Sequence, residues 1–252
     1  MLTAGRHADE VAAISVGRYS LLVPTALLAT QERQRAIADL FVRVGWFDLA
    51  GVRLLEVGCG TGNNLLEFLQ FGFKPEHLNG VELLTAPAEQ ARRKLSPSVR
   101  IILGDAAGPA ATCIPEATQD IVYQSTVFSS LLDDAFQERL AAKMWRWLRP
   151  GGGILWYDFT VNNPFNPNVR GVPVKRIRQL FPQGEMRVRR LTLAPPLARV
   201  VTRIHPSLYT ALNLCTWLRT HVLVWIEKPL AVGFCLVAEC AELPLAVAPC
   251  IA

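Results

Sequence analysis

The chain has 252 residues, enough for one large domain or a domain with an appendage, because single cores stop growing at roughly 250 residues. Hydrophobic residues make up 51% and charged ones 19%, with 17 Gly and 17 Pro, which excludes disordered, collagenous and coiled-coil chains. The net charge of +5 is uneven: residues 160–230 hold eleven Lys and Arg against Glu185 and Glu227, giving +9 there and −4 elsewhere, so a basic face for an anionic partner is expected.

Near the start, His7, Asp9 and Glu10 precede a short apolar patch at 21–23 that Pro24 interrupts. That is not the design of a secretion signal, and no run of about 18 apolar residues follows, so a cytoplasmic location is expected. Ile37, Leu40, Phe41 and Val44 recur at helical spacing and predict an amphipathic helix over 26–46. From residue 53 short apolar runs (53–57, 78–81, 99–103, 121–124 and 153–157) alternate with helical stretches (62–71, 87–94 and 133–148), the last closed by Pro150 and three glycines. Alternation of this kind predicts an α/β chain with a doubly wound, mostly parallel sheet covered on both faces. After Thr160 come an Asn- and Pro-rich loop, a basic helix over 173–181, an alternating run at 186–193, an apolar helix over 206–218 and a strand over 220–226. The two late strands read as a terminal antiparallel pair holding a helical insert.

The expected organisation is an N-terminal helical cover (1–50), an α/β core (51–160), a C-terminal part of the same domain with a basic and apolar insert (161–229), and an apolar tail (230–252) that fits no element. The six cysteines show no C-x-x-C pair and no zinc-ligand spacing; buried free thiols, with neither metal nor disulfides, are expected.

The chemistry concentrates at Leu54-Leu55-Glu56-Val57-Gly58-Cys59-Gly60-Thr61-Gly62, an apolar strand running into a glycine turn that opens a helix. Missing side chains let a ligand approach the backbone, and free N–H groups at a helix start favour an anionic group. Twenty residues past Gly62, at the end of the next apolar run, Glu82 is placed to accept from both hydroxyls of a ribose. Gly104-Asp105-Ala106 follows the third run, where a carboxylate accepts from an adenine amino group. Plain capping and turn roles for Glu82 and Asp105 are the competing readings.

With these motifs the sequence resembles the class I S-adenosylmethionine-dependent methyltransferases over residues 53–160. Residues 55–62 look like their first motif, Gly80-Val81-Glu82-Leu83 like the acidic end of their second strand, and Gly104-Asp105-Ala106 like their adenine loop. Asp120 to Ser125 look like the fourth strand, and Leu148-Arg149-Pro150-Gly151-Gly152-Gly153 like the turn before the fifth. The resemblance implies a Rossmann-like, seven-stranded sheet ending in an antiparallel hairpin. It assigns the amino-acid end of S-adenosylmethionine to Glu56, Gly58 and Gly60, the ribose to Glu82, and the adenine to Leu83, Asp105 and Ala106, with Gln124 and Ser125 beside the sulfonium. A dinucleotide enzyme is disfavoured, because its third glycine belongs one position later, where Asn63 stands.

Methyl transfer implies an acceptor held in line with an activated carbon, and an oxygen acceptor gains from a general base. Asp158 and Tyr157 at the end of the fifth strand, and His205 in the insert, are the candidates, with His205 first; Tyr209 and His221 lie nearby in sequence. Gln31 and Arg33 on the first helix are candidates for the methionine carboxylate. Asn163-Pro164-Phe165 resembles a DNA amino-methyltransferase signature but follows the wrong strand and reads as a turn, so nucleic acid is not the expected acceptor. The expected partners are a small-molecule, glycan or lipid-linked acceptor and, through the apolar insert flanked by Arg199, Arg203 and Arg219, an anionic membrane surface. The alternatives are a catalytically silent cofactor-binding module and a nucleic-acid methyltransferase that uses the basic 170–203 segment.

Overall fold

The computed structural model describes residues 20–162 and 166–230. The tail beyond residue 230 and the Asn163-Pro164-Phe165 segment therefore lie outside the described residues.

The first helix, α1 (Pro24–Arg43), places its proline in the first turn, where no helical N–H is lost, and ends at Val44, with Gly45 at φ +79°. Then follow β1 (Leu54–Val57), α2 (Asn63–Gln70), β2 (Leu78–Glu82), α3 (Thr85–Lys94), β3 (Arg100–Leu103), β4 (Gln119–Ser125), α4 (Asp134–Trp147) and β5 (Leu148–Phe159). The chain continues through α5 (Val174–Leu180), β6 (Glu185–Leu193), α6 (Pro195–Ile204), α7 (Ser207–Leu212) and β7 (Arg219–Glu227). One seven-stranded sheet runs β3-β2-β1-β4-β5-β7-β6, parallel through β5, with β7 antiparallel to both β5 and β6. The doubly wound sheet and its terminal hairpin are those expected from the sequence.

Strand alternation distributes the core. Leu54, Tyr123, Leu155 and Trp225 pack on one face against Ile37 and Phe41 of α1, while Leu55, Val122, Trp156 and Val224 pack on the other with Leu140, Met144 and Ile177. Close approach explains particular glycines. A Cβ on Gly153 would lie 2.3 Å from the Trp225 ring, and one on Gly62, at φ +77°, would lie 2.7 Å from Leu95 Cδ1.

Two readings of the sequence are corrected, and one helix is added: Pro195 and Pro196 occupy the first turn of α6, which the sequence pattern did not predict. The helix expected over 206–218 is split into α7 and a short 3-10 turn, Thr216–Leu218; only part of it is buried, with Tyr209, Leu212 and Leu218 packing inward on Leu193, Ala198, Val201 and Leu28. Pro150 and the glycines after it lie within β5, beside a register shift against β4, rather than in a turn before it. Among the described cysteines all three thiols are free, but only Cys59 is buried; Cys113 is exposed.

Candidate functional site

Parallel strands place β1, β2 and β3 so that their carboxyl ends meet at one edge. Gly58 and Cys59 donate to Val81 O (2.8 and 3.1 Å), which folds the glycine turn over the end of β2. Glu82 is buried, and its two carboxylate oxygens accept from Gly60 N–H (2.8 Å) and Leu84 N–H (2.9 Å). The carboxylate thus fixes both loops around it while each oxygen keeps a further lone pair for a ligand. Beyond Glu82 the chain exposes Leu83 (65%) and Leu84 (60%), an apolar shelf at the strand ends. Asp105 Oδ1 accepts from Ala107 N–H (2.7 Å), closing a turn around Ala106, and Lys143 of α4 donates to the carbonyls of Ala107 and Gly108.

Under α1 the site becomes a buried polar layer. Glu56 is fully buried; Asn64 donates to its Oε1 (2.6 Å), and Oε2 has no hydrogen-bond partner among the described residues. Burial pushes its carboxyl up to about 8, against the opposing pull of the Asn64 hydrogen bond and of Arg33. Arg33 donates to Asn64 Oδ1 (3.0 Å), pairs with Glu67 (2.9 Å) and lies over the Tyr157 ring at 5.4 Å, yet its buried Nε is also unpartnered. An unpaired carboxylate oxygen and an unpaired guanidinium N–H, joined through Asn64, match the ammonium and carboxylate of an amino acid. A Cβ on Gly60 would meet open space, so the turn between them leaves room for a ligand.

The layer continues toward the insert. Tyr157 shares a hydrogen bond with Thr192 (2.8 Å) and stacks on His221 at 5.3 Å. Glu32 Oε2 accepts from Thr192 N–H (3.1 Å) and from the Tyr209 hydroxyl (3.0 Å). Thr192 adopts φ +63°, an unusual conformation for a β-branched residue, while its amide is bound to Glu32. His221 contacts the Thr220 hydroxyl through Nδ1 (3.0 Å); burial first, and then Arg33, depress its imidazole to about 4.

The structure separates the candidate bases. Tyr157 joins the polar layer, and burial raises its hydroxyl above the ordinary tyrosine range. Asp158 faces the other way: it is fully buried, accepts from Ser129 N–H (3.1 Å) and Phe159 N–H (2.9 Å), and is pushed up to about 6 by burial, so both its oxygens serve the backbone. His205 is exposed at the end of α6, where Nδ1 accepts from Ser207 N–H. The Gln124 side chain is likewise committed, with Oε1 accepting from Val127 N–H, so it shapes the turn beside Ser125 instead of lying free by a ligand. Glu32, Asn64, Glu67 and Thr192 were absent from the sequence reading. Asn64 and Glu67 share one helix face by their i, i+3 spacing, the only local signal among them.

Residues 54–152 match the family model described as a methyltransferase domain. Over those residues the chain is similar to the class I S-adenosylmethionine-dependent methyltransferases. An S-adenosyl-L-methionine-dependent Diels-Alderase of Talaromyces variabilis is 32% identical to it over 114 residues, 43% of this chain and 37% of that protein. A tRNA N(3)-cytidine methyltransferase of Mus musculus is 29% identical over 119 residues, 44% of this chain and 29% of that protein. The matches thus span about a third of the length of these relatives. A solved structure titled as a possible histamine N-methyltransferase of Thermotoga maritima shares the methyltransferase fold, with TM-score 0.59 and 19% identity over 88% of this chain and 98% of that one. The cofactor of the domain is S-adenosylmethionine. Glu56, Arg33, the Gly58–Gly60 turn, Glu82 and the Leu83–Leu84 shelf fit it in charge and shape. No helix among the described residues is long and apolar enough to cross a membrane.

Proposed function

We propose that this chain transfers a methyl group from S-adenosylmethionine to an oxygen of a small-molecule, glycan or lipid-linked acceptor, in the cytoplasm, and that His221 takes the acceptor's proton. The observation that carries this reading is the group of buried Tyr157 and Thr192 with half-buried His221 beneath Arg33, at the carboxyl end of β5 next to the strand that ends at Ser125. When bound, the cofactor supplies a methyl on positive sulfur, open to in-line displacement.

The chain's own part is to orient the acceptor, exclude water and hold a proton. His221 is neutral through the physiological range, with Thr220 on Nδ1 and Nε2 as the remaining nitrogen. As the C–O bond forms, the acceptor hydroxyl becomes a far stronger acid than an imidazolium, so a base depressed to about 4 still accepts its proton within the transition state. Exposed His205 has no such surroundings.

The test is release of S-adenosylhomocysteine across a panel of hydroxyl acceptors, with His221→Gln and His205→Gln compared. His221→Gln is expected to lose about 10²–10⁴ in kcat with cofactor affinity retained, and His205→Gln to keep the native rate. Equal rates in all three proteins overturn the base assignment. Tight cofactor binding without turnover on any acceptor overturns methyl transfer and leaves the silent module.

A further inference from the structure

The insert between β6 and β7 presents two chemically different faces. Leu197, Ala198 and Val201 of α6 turn inward with Tyr209, Leu212 and Leu218, and Leu28 of α1 packs on them. On the opposite side of α6, Arg199, Val200, Arg203 and Ile204 follow the i, i+1, i+4, i+5 spacing of one helix face, and all are exposed. Ile204, the last residue of α6, is 72% exposed, and the apolar members continue past the helix with Leu214 at 76% and Trp217 at 84%. Leu22, just before α1, is 94% exposed. Residues 186–226 contain no acidic side chain at all. Arg219 is committed to the carbonyls of Asn213 and Arg190, whereas no hydrogen bond or ion pair of Arg199 or Arg203 is found among the described residues.

Aliphatic side chains and a tryptophan interleaved with arginines, in a stretch of chain without carboxylates, have the composition of an interfacial element. The apolar groups enter the acyl boundary, the indole sits at headgroup depth and the guanidiniums meet lipid phosphates. A second copy of the chain would bring a surface of equal positive charge against this one, which like-charge repulsion disfavours. We infer that the outer face of α6, α7 and the Thr216–Leu218 turn docks the protein on anionic phospholipid membranes. The inference is independent of the acceptor, since none of these outward residues belongs to the polar layer under α1.

The experiment is co-sedimentation of the full chain with vesicles of phosphatidylcholine alone and of phosphatidylcholine with phosphatidylglycerol, at low and high salt. Binding is expected only to the anionic vesicles and to fall as salt rises. Arg199→Gln/Arg203→Gln is expected to weaken it by about fivefold for each arginine, and Ile204→Ser/Leu214→Ser/Trp217→Ser to abolish it. Cofactor affinity should stay native in both variants, which shows that they fold. Folded variants that bind like the native chain overturn the inference, as does equal binding to neutral vesicles or none to either. Sedimentation showing a dimer that the triple variant abolishes, without vesicle binding, overturns it in favour of contact between copies.

Discussion

Glu56→Gln separates the cost of burying this carboxyl from the use the site makes of its charge. The native side chain is fully enclosed with one oxygen unpaired, and burial carries it from 4.5 to about 8. At pH 7 the cofactor-free chain therefore holds Glu56 protonated by about ten to one. Because the folded value lies above the unfolded one, the folded chain binds the extra proton between pH 4.5 and 8. Stability is full below that window and falls as pH rises through it, by about 1.4 kcal/mol per pH unit and about 5 kcal/mol in all. Glutamine removes this slope, so the variant should match the native chain near pH 4.5 and exceed it in denaturant midpoint near pH 8. Asp158, raised to about 6, adds a slope of the same sign below pH 6 in both proteins.

The same carboxyl reports on the ligand. An ammonium placed at Oε2 favours the ionised form, so cofactor binding at pH 7 should release close to one proton, and affinity should climb toward tenfold per pH unit from pH 5.5 to 7. Titration calorimetry in two buffers of different ionisation enthalpy measures that proton directly. Glu56→Gln should bind more weakly and release none. A binding enthalpy independent of buffer in the native chain, or proton release that persists in the glutamine variant, would refute the placement of the ammonium at Glu56.

Glu82→Ala removes the acceptor of the Gly60 and Leu84 amides and should weaken cofactor binding by about 1–3 kcal/mol in calorimetry with the circular dichroism spectrum unchanged; a folded variant with native affinity contradicts the ribose assignment. Gly62→Ala combines a left-handed φ with a Cβ 2.7 Å from Leu95 and should cost about 1–3 kcal/mol, lowering Tm by several degrees. Gly60→Ala meets open space instead, so it should lose less stability but more cofactor affinity, and the opposite ranking would contradict the cradle.

The sheet was legible because β1 to β5 are short apolar runs between glycines and prolines, and strands buried on both faces need nothing else to be recognised. Legibility failed where one residue type has two uses. Pro195 and Pro196 signal a break in general but a start at the first turn of a helix, and only the chain after them distinguishes the two. Pro150 and its glycines look like a turn, yet the register shift between β4 and β5 lets a strand pass through them. The split of the expected helix over 206–218 was hidden because apolar residues face both ways there, some into the third core cluster and some outward, which erases periodicity.

The two halves of the site differ in the same physical respect. The half proposed for the cofactor is written locally: the glycine turn and Asp105 come just after a strand and Glu82 ends one, and parallel pairing brings those ends together without further information. The other half depends on distant pairs, such as Tyr209 with Glu32, 177 residues apart, and Thr192 with Glu32, 160 apart. Only the register of the antiparallel strands, with His221 opposite both Phe159 and Leu191, brings these groups under α1. Position along a strand is therefore a poor guide to chemistry. Asp158 and Tyr157 are neighbours at the end of β5, but alternation sends the carboxyl to bind the backbone of Ser129 and Phe159 and turns the phenol toward Arg33 and His221. Of the two histidines, only His221 stacks on Tyr157 under the charge of Arg33, whereas His205, though it lies in the insert, is exposed at the end of α6.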